Sequence, residues 1–498
     1  MNVNPITRLD YPDLDVIRVE DTYYMVSTTM HFMPGCEILQ SFDLVHWEHA
    51  TYVYETLDHT DAQQLKSGQN IYGQGMWAAS LRYHEGRFYI CFVANDTRKT
   101  YLYTSEKIDG PWKKQLIEGF YHDGSLLFDE DGRNYIVYGN DEIWITELNE
   151  DLTAPKKDGL HRLLVSDHKN PKLGYEGSHI QKINGYYYIF LIHSLRDRWM
   201  RTEACFYSDS LEGEFTGGDV LCDDRGYCGQ GVAQGGIVDT PDGKWYAMLF
   251  QDSGAVGRLP ILLPVTWKDH FPVFGQNGHV PEEIEVHSTR PGYIYQPLVG
   301  SDDFCNGLLP RWQFNHDPDP QYYHLDALQG TYTITTREVC TELTQAVNTL
   351  TQRMSYPSCA AEVTVDASAL KEGDVAGLCA LQSCYAAVGI TKHHGKYEVL
   401  MLDKKEDGIL DMTEGTVVES HQMDFRLEAD FCNMKDEARC YYRVNKGDWL
   451  PIGTVHKLYF KLDHFTGCRF GLFCYAAEET GGSACFRDFK YYDVDEIS

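Results

Sequence analysis

Residues 180–189 contain the clearest copy of a motif that recurs along the first half of the chain: Ile180-Gln181-Lys182-Ile183-Asn184-Gly185-Tyr186-Tyr187-Tyr188-Ile189. Two β-prone runs flank an Asn-Gly turn, and this order is a strong short-range signal for a β-hairpin. Further copies with Gly- or Asp-containing turns lie at residues 16–26, 81–90, 126–137 and 237–247. The motif therefore predicts five hairpins of one kind.

A tyrosine in the second strand of each copy sets the repeat length. These tyrosines, at positions 24, 89, 135, 188 and 246, are 46 to 65 residues apart. That spacing suits a four-stranded propeller blade of about 40–50 residues with insertions. We therefore assign residues 1–300 to a five-bladed β-propeller. The alternative is a generic antiparallel protein whose hairpins resemble one another by chance.

The chain changes character after residue 258. Up to residue 300 it is rich in Pro and Gly, as expected of a linker wrapped against a surface. From residue 301 onward, segments such as 331–335, 360–365 and 457–462 alternate with a period of two between polar turns, which is typical of a β-sandwich. We predict an all-β chain in which a jelly-roll or concanavalin-like β-sandwich, residues 301–498, packs against the propeller.

The charge of the chain limits its partners. Its 498 residues include 74 acidic and 43 basic side chains, a formal net charge of -31, so nucleic acid and anionic membranes are disfavoured. The first ten residues have no features of an export signal, and no window approaches the roughly 20 apolar residues of a membrane span. Fifteen cysteines without a Cys-x-x-Cys pair predict buried reduced thiols and a cytoplasmic protein. Assembly into a homo-oligomer is left as an alternative to a monomer.

Acidic residues lie at equivalent points of three repeats, just before the first strand of the predicted blade. They are Asp13 in Tyr11-Pro12-Asp13, Asp123 in His122-Asp123-Gly124-Ser125, and Glu176 in Tyr175-Glu176-Gly177-Ser178. Singly, each is typical of a solvated turn. A propeller gathers its inner strands around a channel, so we expect the three carboxylates to converge. Together they suit glycosidic hydrolysis, in which one acid protonates the leaving oxygen and one base activates water.

These segments resemble glycoside hydrolase family 43, five-bladed propellers that include β-xylosidases, α-L-arabinofuranosidases and arabinanases. The resemblance implies that Asp13 is the general base, that Asp123 tunes the pKa of the acid and orients it, and that Glu176 is the general acid. On a strand Asp15 would share a face with Asp13, and we expect it to hydrogen-bond nearby backbone. The likeness follows the whole predicted propeller in order and includes Ser41-Phe42-Asp43-Leu44-Val45-His46-Trp47, Gly75-Met76-Trp77-Ala78 and Pro264-Val265-Thr266-Trp267.

The resemblance also implies which residues line the sugar pocket, since aromatic faces pack on sugar rings and polar groups bind hydroxyls. Trp77 matches the pocket tryptophan, and Phe32 and Arg258 match positions of the terminal-sugar subsite. For Phe32 the alternative is ordinary core packing. Many members carry a fifth-blade histidine that organises a central calcium ion or water cluster, where this chain has Gln234. We expect Gln234 to bind substrate or to offer an oxygen ligand to a cation. We expect no cofactor to be required, and the binding of a structural calcium ion is left as an alternative.

The C-terminal part, from Arg311-Trp312-Gln313 onward, looks like the sandwich of xylosidase-type members, in which a sandwich loop closes the active site. Residues 371–374 are one candidate for that loop. We therefore expect an exo-acting, inverting hydrolase that releases terminal β-D-xylose, α-L-arabinofuranose or both from neutral hemicellulose oligosaccharides. The alternatives are an endo-arabinanase-like hydrolase with an open groove and a non-catalytic carbohydrate-binding propeller.

Overall fold

Five four-stranded antiparallel sheets follow one another between residues 15 and 274. The computed structural model describes residues 3–413 and 415–493. Its strands in this part are β1 (Asp15–Val19), β2 (Thr22–Ser27), β3 (Phe32–Met33), β4 (Gly35–Ser41), β5 (Glu48–Tyr54), β6 (Met76–His84), β7 (Arg87–Ala94), β8 (Lys99–Ser105), β9 (Lys113–Ile117), β10 (Ser125–Phe128), β11 (Asn134–Asn140), β12 (Glu142–Leu148), β13 (His161–Ser166), β14 (Glu176–Ile183), β15 (Tyr186–Ser194), β16 (Arg201–Ser208), β17 (Thr216–Leu221), β18 (Ala233–Asp239), β19 (Trp245–Asp252), β20 (Arg258–Lys268) and β21 (Phe271–Phe274).

Each sheet is one blade of a propeller, and the five repeated hairpins form the first two strands of the five blades. In the fourth blade, for example, Ile180 pairs with Ile189 and Ile183 pairs with Tyr186 across the Asn-Gly turn. Neighbouring blades bury apolar faces against each other, as Ile38 of the first blade and Leu81 of the second do in one fully buried cluster. The predicted five-bladed propeller is therefore confirmed.

The C-terminal half forms two large antiparallel sheets of a β-sandwich. Its strands are β22 (Gln313–Asn315), β23 (Tyr323–Asp326), β24 (Thr331–Thr335), β25 (Leu350–Arg353), β26 (Ser358–Asp366), β27 (Val375–Leu381), β28 (Ala386–His393), β29 (Lys396–Lys404), β30 (Leu410–Met412), β31 (Thr416–Val418), β32 (Gln422–Asp430), β33 (Glu437–Val444), β34 (Leu450–Lys457), β35 (Arg469–Tyr475) and β36 (Ser483–Asp493). One sheet has nine strands and the other seven. The predicted β-sandwich is confirmed.

The chain has almost no helix, as the sequence predicts. Within residues 3–413 and 415–493, helical structure consists of four 3₁₀ turns, at Lys66–Gly68, Gly254–Val256, Leu343–Gln345 and Cys432–Met434. No helix in this described part is long and apolar enough to cross a bilayer. All fifteen cysteines are free, and ten of them are buried.

One strand of the nine-stranded sheet comes from the propeller segment of the chain. Strand β3 leaves the first blade and pairs with β22, which places Met33 beside Phe314. A buried ion pair crosses the same boundary, with Arg353 Nη1 2.8 Å from Glu37 Oε2. Removing one partner of such a pair typically costs about 3–5 kcal/mol, because the other charge stays buried. The two domains are therefore joined by backbone pairing as well as by side chains.

Candidate active site

Three carboxylates meet at one mouth of the propeller channel, each placed by the turn that precedes or begins an inner strand. Asp13 precedes β1, Asp123 precedes β10, and Glu176 is the first residue of β14. Asp13 and Asp123 have φ values of 51° and 48°, a conformation that costs energy for residues other than Gly and clusters at functional sites. The three carboxylates are close enough to interact electrostatically, as the sequence analysis predicted. Their individual roles stay a prediction.

Asp123 is buried at the centre of this group and is 7% exposed. Its Oδ2 accepts a hydrogen bond of 2.9 Å from the backbone N–H of Gly177. Burial raises the pKa of this carboxyl, the nearby His122 opposes the rise, and the charges of Glu176 and Asp13 add to it, so that the pKa is about 6. Asp123 therefore gains and loses its proton near pH 6, well above the usual range of an aspartate.

His122 is a member of this group that the sequence analysis did not assign. Its Nε2 lies 3.5 Å from Asp123 Oδ2 and 3.6 Å from Glu176 Oε2. Burial alone would lower the pKa of the imidazole, but the negative charges of Asp123, Glu176 and Asp13 raise it to about 9. His122 is therefore a cation at neutral pH and offsets part of the repulsion among the acids. Its position next to Asp123 in the chain was an available signal.

Glu176 is the most accessible of the three acids, with a side chain that is 23% exposed. Its Oε2 accepts a hydrogen bond of 2.8 Å from the amide of Asn140, at the end of β11 in the preceding blade. Asn140, which the sequence analysis did not assign to the site, therefore orients this carboxyl. Glu176 is therefore more open to a bound molecule than Asp123.

Asp13 is held by an arginine of the fifth blade. Arg258 Nη1 donates a hydrogen bond of 2.9 Å to Asp13 Oδ1, and no hydrogen bond from a described residue reaches Oδ2. The arginine is itself 2% exposed, and its guanidinium lies over the ring of Phe465, 4.5 Å from the centroid. The sequence prediction places Arg258 in the pocket, and the structure brings it to the carboxylates.

Phe465 belongs to the sandwich, in the loop between β34 and β35, which we call the 458–468 loop. Its ring also faces Trp77 at a centroid distance of 5.9 Å. The loop is fixed to the propeller through Asp10, whose Oδ2 accepts from the Gly467 N–H while its Oδ1 accepts from the Arg258 N–H, both at 2.8 Å. This sandwich loop covers the site.

The proposed closing loop at residues 371–374 is therefore wrong. Lys371 there pairs with Glu479 at 2.7 Å and also donates to the Thr480 carbonyl, and Asp374 accepts from the Lys371 N–H. These contacts hold the segment against residues 479–480 of the sandwich itself. Period-two patterning identified the sandwich but gave no information on which of its loops meets the propeller.

Trp77 and Gln234 lie beside the carboxylates. The ring of Trp77 faces that of His122 at a centroid distance of 5.7 Å, and its indole N–H has no hydrogen-bond partner among the described residues. Gln234 packs its side chain on Gly177: a Cβ on that glycine would lie 2.8 Å from Gln234 Cγ. Only Gly at position 177 allows this approach. Sugar binding by Trp77 and Gln234 stays a prediction, and both positions are consistent with it.

Phe32 is not brought into this group. It lies on β3, is 2% exposed, and packs in a buried cluster with Leu343, Tyr385 and other sandwich residues. The guanidinium of Arg469 covers one face of its ring at 3.4 Å from the centroid. These contacts match the packing alternative, and they give no support to the prediction that Phe32 touches the terminal sugar. The reason is the pairing of β3 with the sandwich, which short-range patterns do not reveal.

Asp15 lies deeper in the channel than Asp13 and has a different environment. Its Oδ2 accepts from the Leu81 N–H at 2.8 Å and from Arg82 Nη1 at 2.7 Å, and its Oδ1 lies 3.1 Å from His179 Nδ1. Burial alone would raise the pKa of Asp15, but Arg82 and His179 lower it to about 2. The expected bond to nearby backbone is present. Both oxygens are occupied, which excludes Asp15 as a base.

Arg82 fills the channel at this level. Its guanidinium also donates to Ser125 Oγ and to the carbonyls of Leu126 and Ile180, so it joins the inner strands of four blades. A central calcium ion would need these same oxygen atoms as ligands. They already accept hydrogen bonds from the guanidinium of Arg82. The residues around Asp15 therefore do not fit a metal ion. At the channel mouth, His122, Asp123 and Glu176 offer ligand atoms within 4.8 Å of one another, and a metal ion bound there would have to displace the proton of the imidazole.

This arrangement gives a prediction on metal dependence. Because the guanidinium of Arg82 takes the position of a central cation, dialysis against a chelator should change neither the melting temperature nor the hydrolytic rate. Thermal melts and rates with EDTA, and with EDTA followed by excess calcium, test it. A loss of activity on chelation that only calcium restores would contradict the expectation and indicate a site with other ligands.

Comparison with known proteins identifies the family of this fold and site. The model of glycosyl hydrolases family 43 matches residues 3–272, and the model of the β-xylosidase C-terminal concanavalin A-like domain matches residues 301–492. The chain belongs to glycosyl hydrolases family 43. This family-43 protein is therefore a glycoside hydrolase, as the sequence resemblance predicted.

Three similar proteins illustrate the relationship of this family-43 chain. A β-xylosidase of Formosa agariphila is 26% identical over 99% of this chain and 89% of its own length. A xylosidase/arabinosidase of Butyrivibrio fibrisolvens is 24% identical over 99% of both chains. Among solved structures, a bifunctional GH43-CE protein of Bacteroides eggerthii superposes with a TM-score of 0.92 at 42% identity, covering 99% of this chain. The present chain spans 64% of that bifunctional protein.

Proposed function

We propose that this glycoside hydrolase releases terminal β-D-xylose or α-L-arabinofuranose, or both, from hemicellulose-derived oligosaccharides, with inversion at the anomeric carbon. The observation that carries the proposal is the group of Asp13, Asp123 and Glu176 under the 458–468 loop. The names of the relatives, a β-xylosidase and a xylosidase/arabinosidase, support the choice of sugars. A loop that covers the site favours cleavage at chain ends, since an open groove would be needed to bind the middle of a polymer.

In this proposal Asp13 is the general base. Arg258 donates a hydrogen bond to its Oδ1, which fixes the orientation of the carboxylate. The second oxygen is then directed at a water molecule, which the carboxylate deprotonates as the water attacks the anomeric carbon. Inverting hydrolases leave room for this water by holding their two carboxyl groups roughly 6.5–9.5 Å apart.

Glu176 is the general acid in this proposal and donates its proton to the glycosidic oxygen. The acid must keep a proton at the pH of the reaction, which neighbouring negative charge favours. Asp123 supplies that charge from a buried position, and Asn140 sets the direction of the carboxyl through its bond to Oε2. His122 limits the repulsion so that three acids can occupy one site.

Two measurements test the proposed reaction. Turnover of p-nitrophenyl β-D-xyloside and p-nitrophenyl α-L-arabinofuranoside measures the sugar preference. Proton NMR of the first xylose formed from a β-xyloside should show the α-anomer, because inversion converts one anomer into the other. An initial β-anomer would exclude the inverting mechanism, and absence of turnover on both glycosides would contradict the proposed substrates.

The role of Asp123 gives a prediction on pH dependence. Above about pH 6 this carboxyl is ionised, and its charge helps Glu176 keep a proton. Replacing Asp123 with Asn removes the charge, so the alkaline limb of the kcat/KM profile should move down by about one pH unit. The profile of an exposed control, Asp131→Asn, should match that of the unmodified enzyme. An unchanged alkaline limb in Asp123→Asn would argue against electrostatic tuning by this residue.

The cover provided by Phe465 gives a prediction on substrate affinity. Truncation to Ala removes the ring beneath the Arg258 guanidinium and opens the pocket beside Trp77. We expect KM for small aryl glycosides to rise about 10- to 100-fold, because misplacing a positioning group has effects of that size. Leu462→Ala is the matched control, since this side chain of the same loop is 74% exposed. Equal KM values for the two variants would mean that the loop does not form the pocket.

We also propose a cytoplasmic location. The support is the state of the cysteines: fifteen free thiols, ten of them buried, without a disulfide among the described residues. Such a set is typical of proteins that fold in a reducing compartment. Fractionation of the native host into cytoplasm and exterior, followed by an assay on the aryl glycosides, tests this location. Activity found outside the cell would contradict it.

A further inference from the structure

A second cavity lies at the end of the propeller channel opposite the carboxylates. Its volume is about 420 Å³. Glu176 begins β14, whereas the cavity is lined by residues 180–183 of the same strand, about 13–23 Å further along at about 3.3 Å per residue. All five blades contribute to its wall, through residues 16–18, 82–84, 127–128, 180–183, 237–239 and Trp245.

Arg82 separates this cavity from the active site. Its guanidinium lies across the channel, with bonds to Asp15, to Ser125 and to two backbone carbonyls of neighbouring blades. Substrate bound at the carboxylates therefore does not extend into the second cavity. A ligand of this cavity must enter from the opposite face of the propeller.

The charges in the wall are already paired, which identifies the class of ligand. Arg18 is bound to Asp239, Lys182 lies 2.6 Å from Asp129, and Arg82 is bound to Asp15. An anion such as phosphate would have to compete with these carboxylates for the same cations. In a protein of net charge -31 the cavity is thus better suited to a neutral molecule.

The uncharged part of the wall has the chemistry of a sugar site. Tyr83 is 44% exposed, and Phe128 and Trp245 line the same cavity, which gives aromatic faces for the C–H face of a sugar ring. Gln181 donates through Nε2 to the Ile237 carbonyl at 2.8 Å. Its Oε1 is buried and has no hydrogen-bond partner among the described residues, so it can accept from a ligand hydroxyl.

We propose that this cavity is a second, non-catalytic binding site for a neutral sugar, of the size of a pentose or a disaccharide. The volume lies within the usual range of small-molecule sites, about 300–1,000 Å³. The unpartnered Gln181 Oε1 binds a hydroxyl and the aromatic residues hold the ring. The proposal does not depend on the reaction at the carboxylates.

Indole N–H signals can report on both sites in one NMR titration with D-xylose. The chain has nine tryptophans; Trp77 lies in the active site and Trp245 in the second cavity, and Trp→Phe variants assign the two signals. We expect each signal to shift with its own saturation curve. The Tyr83→Ala and Gln181→Met variants should each weaken the Trp245 curve about tenfold, leaving the Trp77 curve and the hydrolytic rate unchanged.

The control is Tyr293→Ala, which removes a tyrosine that is 39% exposed and lies outside the cavity. A Trp245 signal that stays fixed while Trp77 saturates would overturn the inference and leave the proposed function intact. A Trp245 signal that shifts with inorganic phosphate and not with xylose would overturn the choice of ligand. Absence of hydrolysis with a normal Trp245 curve would contradict the proposed function alone.

Discussion

Replacing Glu176 with Ala is expected to lower kcat/KM for xylobiose by about 10³-fold, within the range found for general acids. The leaving group of xylobiose is a poor one and needs a proton in the transition state. An aryl xyloside with an acidic phenol leaves as the phenolate, so it should lose less than about tenfold. The two substrates measured side by side on the same variant give the test.

The matched control is Glu212→Ala, which removes an exposed carboxylate of the same blade and should leave both rates unchanged. Equal losses on the two substrates in the Glu176 variant would remove the general-acid assignment. A series of aryl xylosides gives a second readout: without the general acid, kcat/KM should depend steeply on the pKa of the leaving phenol. A merely structural role of Glu176 predicts no such dependence.

Replacing Asp13 with Asn is expected to lower kcat/KM by about 10³- to 10⁴-fold on xylobiose and on the aryl xyloside alike. Water must be activated whichever group leaves, so the quality of the leaving group has no influence on this loss. Asn keeps the shape of the side chain and can still accept from Arg258 Nη1. The rates of both substrates and the melting temperature are measured on the same preparation.

Asp15→Asn separates this role from a structural one. The Asp15 carboxylate is bound by Arg82 and His179, and its pKa of about 2 means that the ion pair persists down to strongly acidic pH. We expect the Asp15 variant to lower the melting temperature, because Arg82 is left as an unpaired buried cation. Its kcat/KM below the melting range should stay within about tenfold of the original. Wild-type rates for Asp13→Asn would contradict the base assignment.

The sequence predicted those features that are written in short stretches of chain. Each hairpin is about ten residues long, so the repeat of five was visible. Asp13, Asp123 and Glu176 each stand directly before or at the first strand of a blade, and propeller geometry brings such positions together. His122 was within reach of the same reasoning, because it adjoins Asp123.

Contacts between distant segments could not be predicted in this way. Arg258 and Phe465 are 207 residues apart in the chain, and nothing in the pattern around Phe465 distinguishes its loop from others of the sandwich. Phe32 illustrates the same limit, because its surroundings depend on the pairing of β3 with β22. The position of Arg82 in the channel also depends on four blades at once.

The 458–468 loop has a consequence for how substrate selectivity can diverge in enzymes of this architecture. One wall of the pocket comes from residues 458–468, far along the chain from the acids that perform the reaction. Recombination that replaced only the segment encoding the sandwich would therefore graft a new pocket wall onto unchanged catalytic residues. Chain-end cleavage and sugar preference could then change in one event, provided that the incoming sandwich still pairs with β3 and still places a ring over Arg258.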